Sequence, residues 1–506
     1  MKISHASSIR PLKTNYLRMK NSDIKQVIFS TLALSVLTTG YCANKGPKNV
    51  LQKPNVIFVF ADELHGQDLG YNGNKDVITP NLDRLASHAI NFTNTISCCP
   101  VCSPYRASLL TGQYPLTTGV FVNDVQLNPE TPTIAKSFKA AGYQTAYIGK
   151  WHVDGRGRNS FIPVDRRQGF EYWKVLECTH DYNNSYYWGN DDKKAKWKGY
   201  DAYAQTADAV NYIRERKKDE KPFFMVLSWG PPHSPHNTAP EPCKNIYRNK
   251  PLKLRPSVPS GLKDKAIADL VGYYGHITAL DSCIGMLQHT LKETGLDENT
   301  LFIFTADHGS MVYSHGFINK QRPYEESINV PLLIRYPKLF GNKGKKNDML
   351  INTPDLMPTL LGLCGLPIPK TVEGTDRSPV MKGKQEDKTD AVLIACYEAF
   401  GQWTYDMGGK EYRGVRTKRF TYVKDLSGPW LLFDNLKDPY QLNNLVNDKG
   451  YQQIKNDLEG KLARLLQKTN DQFLPGQEYI KKWGYVTDKN GTVPYVKINY
   501  QGLPVE

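Results

Sequence analysis

The feature that most constrains this chain is a recurring pairing of a short, unbroken apolar run with a charged or imidazole residue at its end. Residues 55–60 (NVIFVF) lead to Asp62, and 145–148 lead to Gly149-Lys150-Trp151-His152. Residues 222–228 (PFFMVLS) lead to Pro231-Pro232-His233, and 301–305 (LFIFT) lead to Ala306-Asp307-His308-Gly309. Continuous runs rich in β-branched and aromatic residues read as strands buried on both faces. Between them, residues 131–141, 201–216 and 264–295 carry helical patterning, and Thr79-Pro80 reads as a helix start. This alternation predicts an α/β fold, a large mostly parallel sheet sandwiched by helices. Such sheets bind ligands beyond the carboxyl ends of their strands. Asp62, Lys150, His152, His233, Asp307 and His308 are all expected there, in one site.

Past about residue 405 the texture changes. Residues 412–422 and 430–434 read as shorter strands, and 451–469 as an amphipathic helix. The expectation is a smaller C-terminal α+β subdomain over 405–506, an antiparallel sheet plus a helix, after a main domain over 52–404. At the other end, residues 27–39 form a thirteen-residue, mostly apolar run preceded by Lys20 and Lys25. That run is too short to span a bilayer and reads as the core of a signal peptide over 1–43, with Met19 as an alternative start. The expectation is an exported protein, periplasmic or at the cell surface. Cys42 stands where a lipoprotein cysteine would, although Thr39-Gly40-Tyr41 is a poor lipobox. A membrane enters as a partner only through lipid on Cys42.

The formal charge of +15 suits an anionic ligand. No zinc-finger, basic-zipper or RNA-binding signature accompanies it, so nucleic acid is not expected. A sulfated or phosphorylated small ligand or glycan fits the same charge. The nine cysteines are scattered without zinc spacing or a disulfide framework.

One cysteine stands in a motif. Cys102-Ser103-Pro104-Tyr105-Arg106 has the form Cys-x-Pro-x-Arg and continues as Ala-Ser-Leu-Leu-Thr-Gly to Gly112. Neither Cys98 nor Cys99 has proline at +2 together with arginine at +4. The stretch closely resembles the signature of formylglycine-dependent sulfatases, within the alkaline phosphatase superfamily. Further motifs in the same order extend the resemblance from Asn55 to about Leu445, including Thr353-Pro354-Asp355 and Asp438-Pro439-Tyr440-Gln441-Leu442.

The resemblance implies a sulfuric ester hydrolase (EC 3.1.6 type) in which a maturation enzyme oxidises Cys102 to formylglycine. The hydrated aldehyde attacks sulfur through one hydroxyl, and the other hydroxyl lets the intermediate collapse, an exit that a plain serine or cysteine lacks. It also implies a divalent metal at Asp62, Glu63, Asp307 and His308 with the Cys102 position. Carboxylate oxygens suit Ca²⁺, with Mg²⁺ as the alternative, and the imidazole of His308 is a softer donor. Arg106 would steady the formylglycine. Lys150 and Lys320 would bind sulfate oxygens, and His152 would act as the base that triggers collapse. His233 would protonate the leaving alcohol, with His236 as its rival.

For substrate, residues 178–188 are dense in aromatic and hydrogen-bonding side chains, which suit a sugar ring. His180, Asn183, Arg156, Arg166 and Arg322 are the candidate glycan contacts. The resemblance is to sulfatases of glycan-degrading bacteria, and a sulfated galactose or N-acetylgalactosamine leads among the sugars. Two other readings stand beside this one. The first is a phosphonate monoester or phosphodiester hydrolase of the same superfamily. The second is an inactive sulfated-glycan-binding protein, which the intact set of basic residues disfavours.

Overall fold

Strand β1 (Asn55–Asp62) is buried along its whole length, and its side chains divide by parity between two separate cores. Val56, Phe58 and Phe60 enter one core, while Ile57, Val59 and Ala61 enter the other. Side chains alternate across a strand, so an unbroken apolar run is stable only with cover on both faces. A computed structural model describes residues 53–494. The leader, Met19 and Cys42 lie outside the described residues.

The main sheet adds β2 (Ile90–Ile96), β3 (Gln144–Lys150), β4 (Tyr172–Leu176), β5 (Tyr186–Trp188) and β6 (Lys194–Lys196). It continues with β7 (Phe223–Pro232), β8 (Thr300–Ala306), β9 (Asn329–Val330), β10 (Leu332–Arg335) and β11 (Lys345–Asn352). Its order is β11-β2-β10-β8-β1-β7-β3-β4-β5-β6, with β9 paired to β2. The centre, β8-β1-β7-β3-β4, is parallel throughout. One face is covered by α1 (Pro80–Ala86), α4 (Asp201–Arg216) and the long α5 (Lys263–Thr294), through Leu82, Ile213 and Leu287. The opposite face is covered by α2 (Cys102–Thr111), α3 (Ile134–Ala140) and α6 (Leu356–Leu363), through Leu109, Phe138 and Leu360. The α/β architecture read from the sequence is the one observed.

Three local differences have physical causes. Residues 330–335 read as one strand, but Pro331, which has no N–H to donate, separates β9 from β10. β10 then runs antiparallel to both neighbours. The long run at 412–422 splits into a hairpin where Thr417 N–H donates to the Phe420 carbonyl. The second sheet, β12 (Val392–Cys396), β13 (Tyr412–Arg416), β14 (Phe420–Asp425) and β15 (Gly428–Asp434), is antiparallel throughout. Its first strand precedes residue 405, because Val-Leu-Ile-Ala-Cys reads equally well as one more buried strand of the main sheet. Helix α7 (Gln452–Lys468) adds Leu458 and Leu462, one turn apart, to the core that holds Val415, Tyr422 and Leu432.

Candidate active site

The parallel strands deliver their end residues to one place. Asp62 ends β1, Lys150 ends β3, His233 directly follows β7, and Asp307 and His308 follow β8. Cys102 is the first residue of α2, and Arg106 stands four residues on, hence on the same helix face. The Cys-x-Pro-x-Arg spacing therefore aims both side chains at the strand ends. Gly149 permits the close approach of β3 to β7: its φ is 104°, and a Cβ there would lie 2.0 Å from the Ser228 carbonyl oxygen.

Donor atoms of Asp62, Cys102, Asp307 and His308 all lie within 4.8 Å of one another, and all four residues are buried. Cys102 Sγ is 3.3 Å from His308 Nε2 and 3.7 Å from Asp62 Oδ1. His308 Nδ1 lies 3.1 Å from the Gly309 carbonyl oxygen. A proton held there leaves the Nε2 lone pair facing the carboxylates, the arrangement a metal-binding imidazole uses. Two carboxylates, one imidazole and the Cys102 position make a donor set that fits a divalent cation. Glu63, also expected among the ligands, belongs to a neighbouring group with Asp62 and His233. Its Oε2 is 3.1 Å from both His233 Nε2 and Lys320 Nζ.

Arg106 ties this centre together. One guanidinium nitrogen donates to the Lys150 carbonyl and to Ser228 Oγ, both at 2.7 Å. The other donates to Asp62 Oδ2 at 3.1 Å and Asp307 Oδ2 at 3.2 Å. The planar fork suits this multiple contact. Lys150 Nζ is 2.5 Å from Asp62 Oδ2 and 3.9 Å from Cys102 Sγ. Burial and the Asp62 charge both oppose ionisation of Cys102. Lys150, Lys320 and His308 outweigh them and hold the thiol well below its ordinary range. Burial, then the Asp62 charge, pushes Asp307 up to about 6.

The centre opens into a cavity of about 220 Å³ lined in part by Cys102, Lys150, His152, His180, His233 and Lys320. His152 Nε2 lies 3.2 Å from Asp124 Oδ1, and Arg158 grips the same carboxylate at 3.2 and 3.0 Å. The rings of His180 and His233 stack 4.4 Å apart, 12° from parallel. His236 packs against Tyr273 and is not on the cavity wall.

Of the five residues expected to contact a glycan, only His180 reaches the cavity. Asn183 donates to the Thr238 carbonyl, Arg156 to Gln126, and Arg166 grips Asp154 through two nitrogens. Arg322 is buried, with its guanidinium 4.0 Å over the Phe317 ring. Loop arginines near strand ends look available in a sequence, but each of these already holds a local carboxylate, amide or carbonyl oxygen or ring face. The cavity wall instead includes Asn123, Asp124, Arg158, Gln321 and Gln402, none of which stands in a motif. Only Gln321 carried a signal, as the neighbour of Lys320.

Comparison with known proteins agrees with this geometry. The family model described as "Sulfatase" matches residues 54–366. That of the N-sulphoglucosamine sulphohydrolase C-terminal region matches 313–468. An ulvan-active sulfatase of Formosa agariphila is 43% identical over 451 residues, 88% of each chain. An endo-4-O-sulfatase of Bacteroides thetaiotaomicron is 32% identical, over 84% of this chain and 95% of its own. A solved structure of a B. thetaiotaomicron protein of glycosaminoglycan metabolism superposes with a TM-score of 0.76 at 30% identity. It covers 85% of this chain and 99% of that one. The chain belongs to the sulfatase family, hydrolases of sulfuric esters.

Proposed function

We propose that this enzyme removes sulfate from a sulfated glycan outside the cytoplasm, with Cys102, converted to formylglycine by a sulfatase-maturating enzyme, as its nucleophile. The observation that carries this reading is the position of Cys102. It opens a helix, the end of a helix that favours negative charge, within 4 Å of Asp62, His308 and Lys150. A sulfated glycan is supported by the names of the relatives and by the basic cavity.

Asp62, Asp307, His308 and the Cys102 position would hold a divalent cation, proposed as Ca²⁺ with Mg²⁺ as the alternative, and Glu63 flanks them. When bound, the ion neutralises charge that gathers on the sulfate oxygens. Lys150 and Lys320 face the same oxygens as fixed cations, in a buried setting where their charge counts for more than in water. His233 is placed to give a proton to the leaving alcohol. His152 is placed to take one from the Cys102 side, with Asp124 orienting its ring. Arg106 steadies the nucleophile's position and its carboxylate neighbours. Export to the periplasm or cell surface rests on the leader, and a two-part organisation is likewise proposed, with the division expected at 404/405 moved ahead of β12 because β12 pairs with β13.

The test joins mass spectrometry to an activity panel. Protein made with a maturation enzyme should lose about 18 Da in the Cys102 peptide, the change from CH₂SH to CHO. It should then release sulfate from at least one of ulvan, glycosaminoglycan, carrageenan, and sulfated galactose or N-acetylgalactosamine. The Cys102→Ala protein should fold and release none. Activity without the mass loss, or hydrolysis only of a phosphonate monoester run in parallel, overturns the proposal.

A further inference from the structure

Two side-chain amides on the cavity wall each carry an atom without a partner. Gln321 Nε2 and Gln402 Oε1 are both shielded from solvent, and neither makes a hydrogen bond. In folded proteins buried polar atoms are mostly paired, because leaving one unpaired forfeits its hydration. Gln321 is also held in a left-handed backbone conformation, φ 73°. Its N–H donates to the Pro100 carbonyl at 3.2 Å, and its carbonyl accepts from Tyr412 O–H at 2.9 Å. Such conformations persist in side-chain-bearing residues when the surrounding structure imposes them, and they cluster at binding sites. Here the imposed turn sets Gln321 directly after Lys320, on the same cavity as Cys102. Gln402 comes from the segment between β12 and β13. The Gly401 N–H beside it is fixed by the Asn490 carbonyl at 3.0 Å, so the C-terminal segment supports this side of the wall.

The chemistry of the pair is selective. An amide N–H and an amide oxygen together match a group that both accepts and donates. A hydroxyl does this, whereas a sulfate or carboxylate offers acceptors alone and would find two uncharged amides with no countercharge. The further guanidinium of the lining, Arg158, already has two nitrogens on Asp124. Beyond the basic sulfate end the wall is polar, with the Arg158 charge met by Asp124. The cavity, about 220 Å³, is smaller than the ~300–1,000 Å³ of sites for drug-sized ligands and suits one ring.

We propose that Gln321 and Gln402 clamp a free hydroxyl of the sugar ring that carries the scissile sulfate, and so select that ring against one with a second anionic group there. This rests on the sulfatase reading above. Neither residue contacts the reacting atoms, so both act as specificity-determining groups.

The test compares Gln321→Leu and Gln402→Leu on two substrates. One is the panel saccharide with the highest kcat/KM, and the other is 4-nitrophenyl sulfate, which has a sulfate but no ring hydroxyl. Each variant should lower the saccharide-to-aryl ratio of kcat/KM about tenfold, mainly through KM. An equal fall on both substrates, or no fall on the saccharide, overturns the clamp while leaving the sulfatase reading intact. Gln402 is only half-buried, so its variant keeps the test open if Gln321→Leu folds poorly. Calorimetry in the Cys102→Ala background reads the clamp without turnover. There the leucine changes should weaken binding of the panel saccharides about tenfold more than binding of inorganic sulfate, and equal weakening overturns it. Wild-type protein with converted Cys102 that hydrolyses no sulfate ester removes the sulfatase reading itself.

Discussion

His180 lies flat against His233, with ring centroids 4.4 Å apart and planes 12° from parallel. His233 Nδ1 is 2.7 Å from the Ser234 carbonyl oxygen, so the stack and this contact together fix the ring that faces Glu63 and the cavity. Burial, then the Lys320 charge, holds His233 well below the ordinary imidazole range, and His180 adds to that. A ring held that low is neutral near pH 7, so the proton for the leaving alcohol has to be gained as the anionic sulfate arrives beside it.

The stack matters through position: without it the His233 ring is held by the Ser234 contact alone, which should weaken that step selectively. His180→Ala is expected to lower kcat/KM on a sulfated saccharide about tenfold, ~1.4 kcal/mol. An aryl sulfate, whose leaving group needs less protonation, should lose less. A plot of rate against leaving-group pKa for both proteins checks this, and parallel slopes would count against the assignment.

Arg106 makes four polar contacts through two nitrogens, and a lysine can reproduce only part of them. Arg106→Lys should leave Asp62 and Asp307 incompletely neutralised in a buried site. Breaking one partner of a buried charge network costs about 3–5 kcal/mol, with a matching fall in unfolding temperature. Activity should drop by two orders of magnitude or more, because the two carboxylates and Lys150 lose their common anchor. Thermal unfolding and steady-state kinetics on the same preparation test both.

Chelation provides a third test. Prolonged EDTA treatment followed by gel filtration should abolish activity, and Ca²⁺ should restore it, with Mg²⁺ as the comparison arm. The same treatment should lower the unfolding temperature, since an ion bound only by the folded state stabilises it. Activity and stability both indifferent to the chelator would exclude a required ion at Asp62, Asp307 and His308.

Asp201, the first residue of α4, supplies a pH signature away from the site. Burial pushes its carboxyl up to about 8. The folded state then binds a proton that the unfolded state has released. Stability therefore falls as pH rises from about 4 to about 8 and levels off above that. Asp201→Asn resembles the neutral acid and should remove this slope. The variant's unfolding temperature relative to wild type should rise steadily between pH 5 and pH 8. A constant offset would show that Asp201 is ionised in the fold.

Much of the site was legible because strand ends are. A run such as NVIFVF can hide both faces only in a covered sheet, so the residue that ends it is forced to the sheet's carboxyl edge. Asp62, Lys150, His233, Asp307 and His308 all followed this rule. Cys102 and Arg106 were legible for a second local reason, four-residue spacing on a helix. Local patterning reaches the bounds of α4, whereas the antiparallel direction of β10 is set by partner strands that a local run does not reveal.

What escaped the sequence depends on which groups find partners. Arg156, Arg166, Asn183 and Arg322 resembled free ligands until the fold supplied Gln126, Asp154, the Thr238 carbonyl and the Phe317 ring. Gln321 and Gln402, eighty-one positions apart and in no motif, became noticeable only as buried amides left unpaired beside Cys102. Local periodicity and spacing determine where the backbone must place a residue, because burial and helical geometry act over a few neighbours. Whether its polar atoms are spent or available is decided by segments distant in sequence, and only the tertiary structure brings those together.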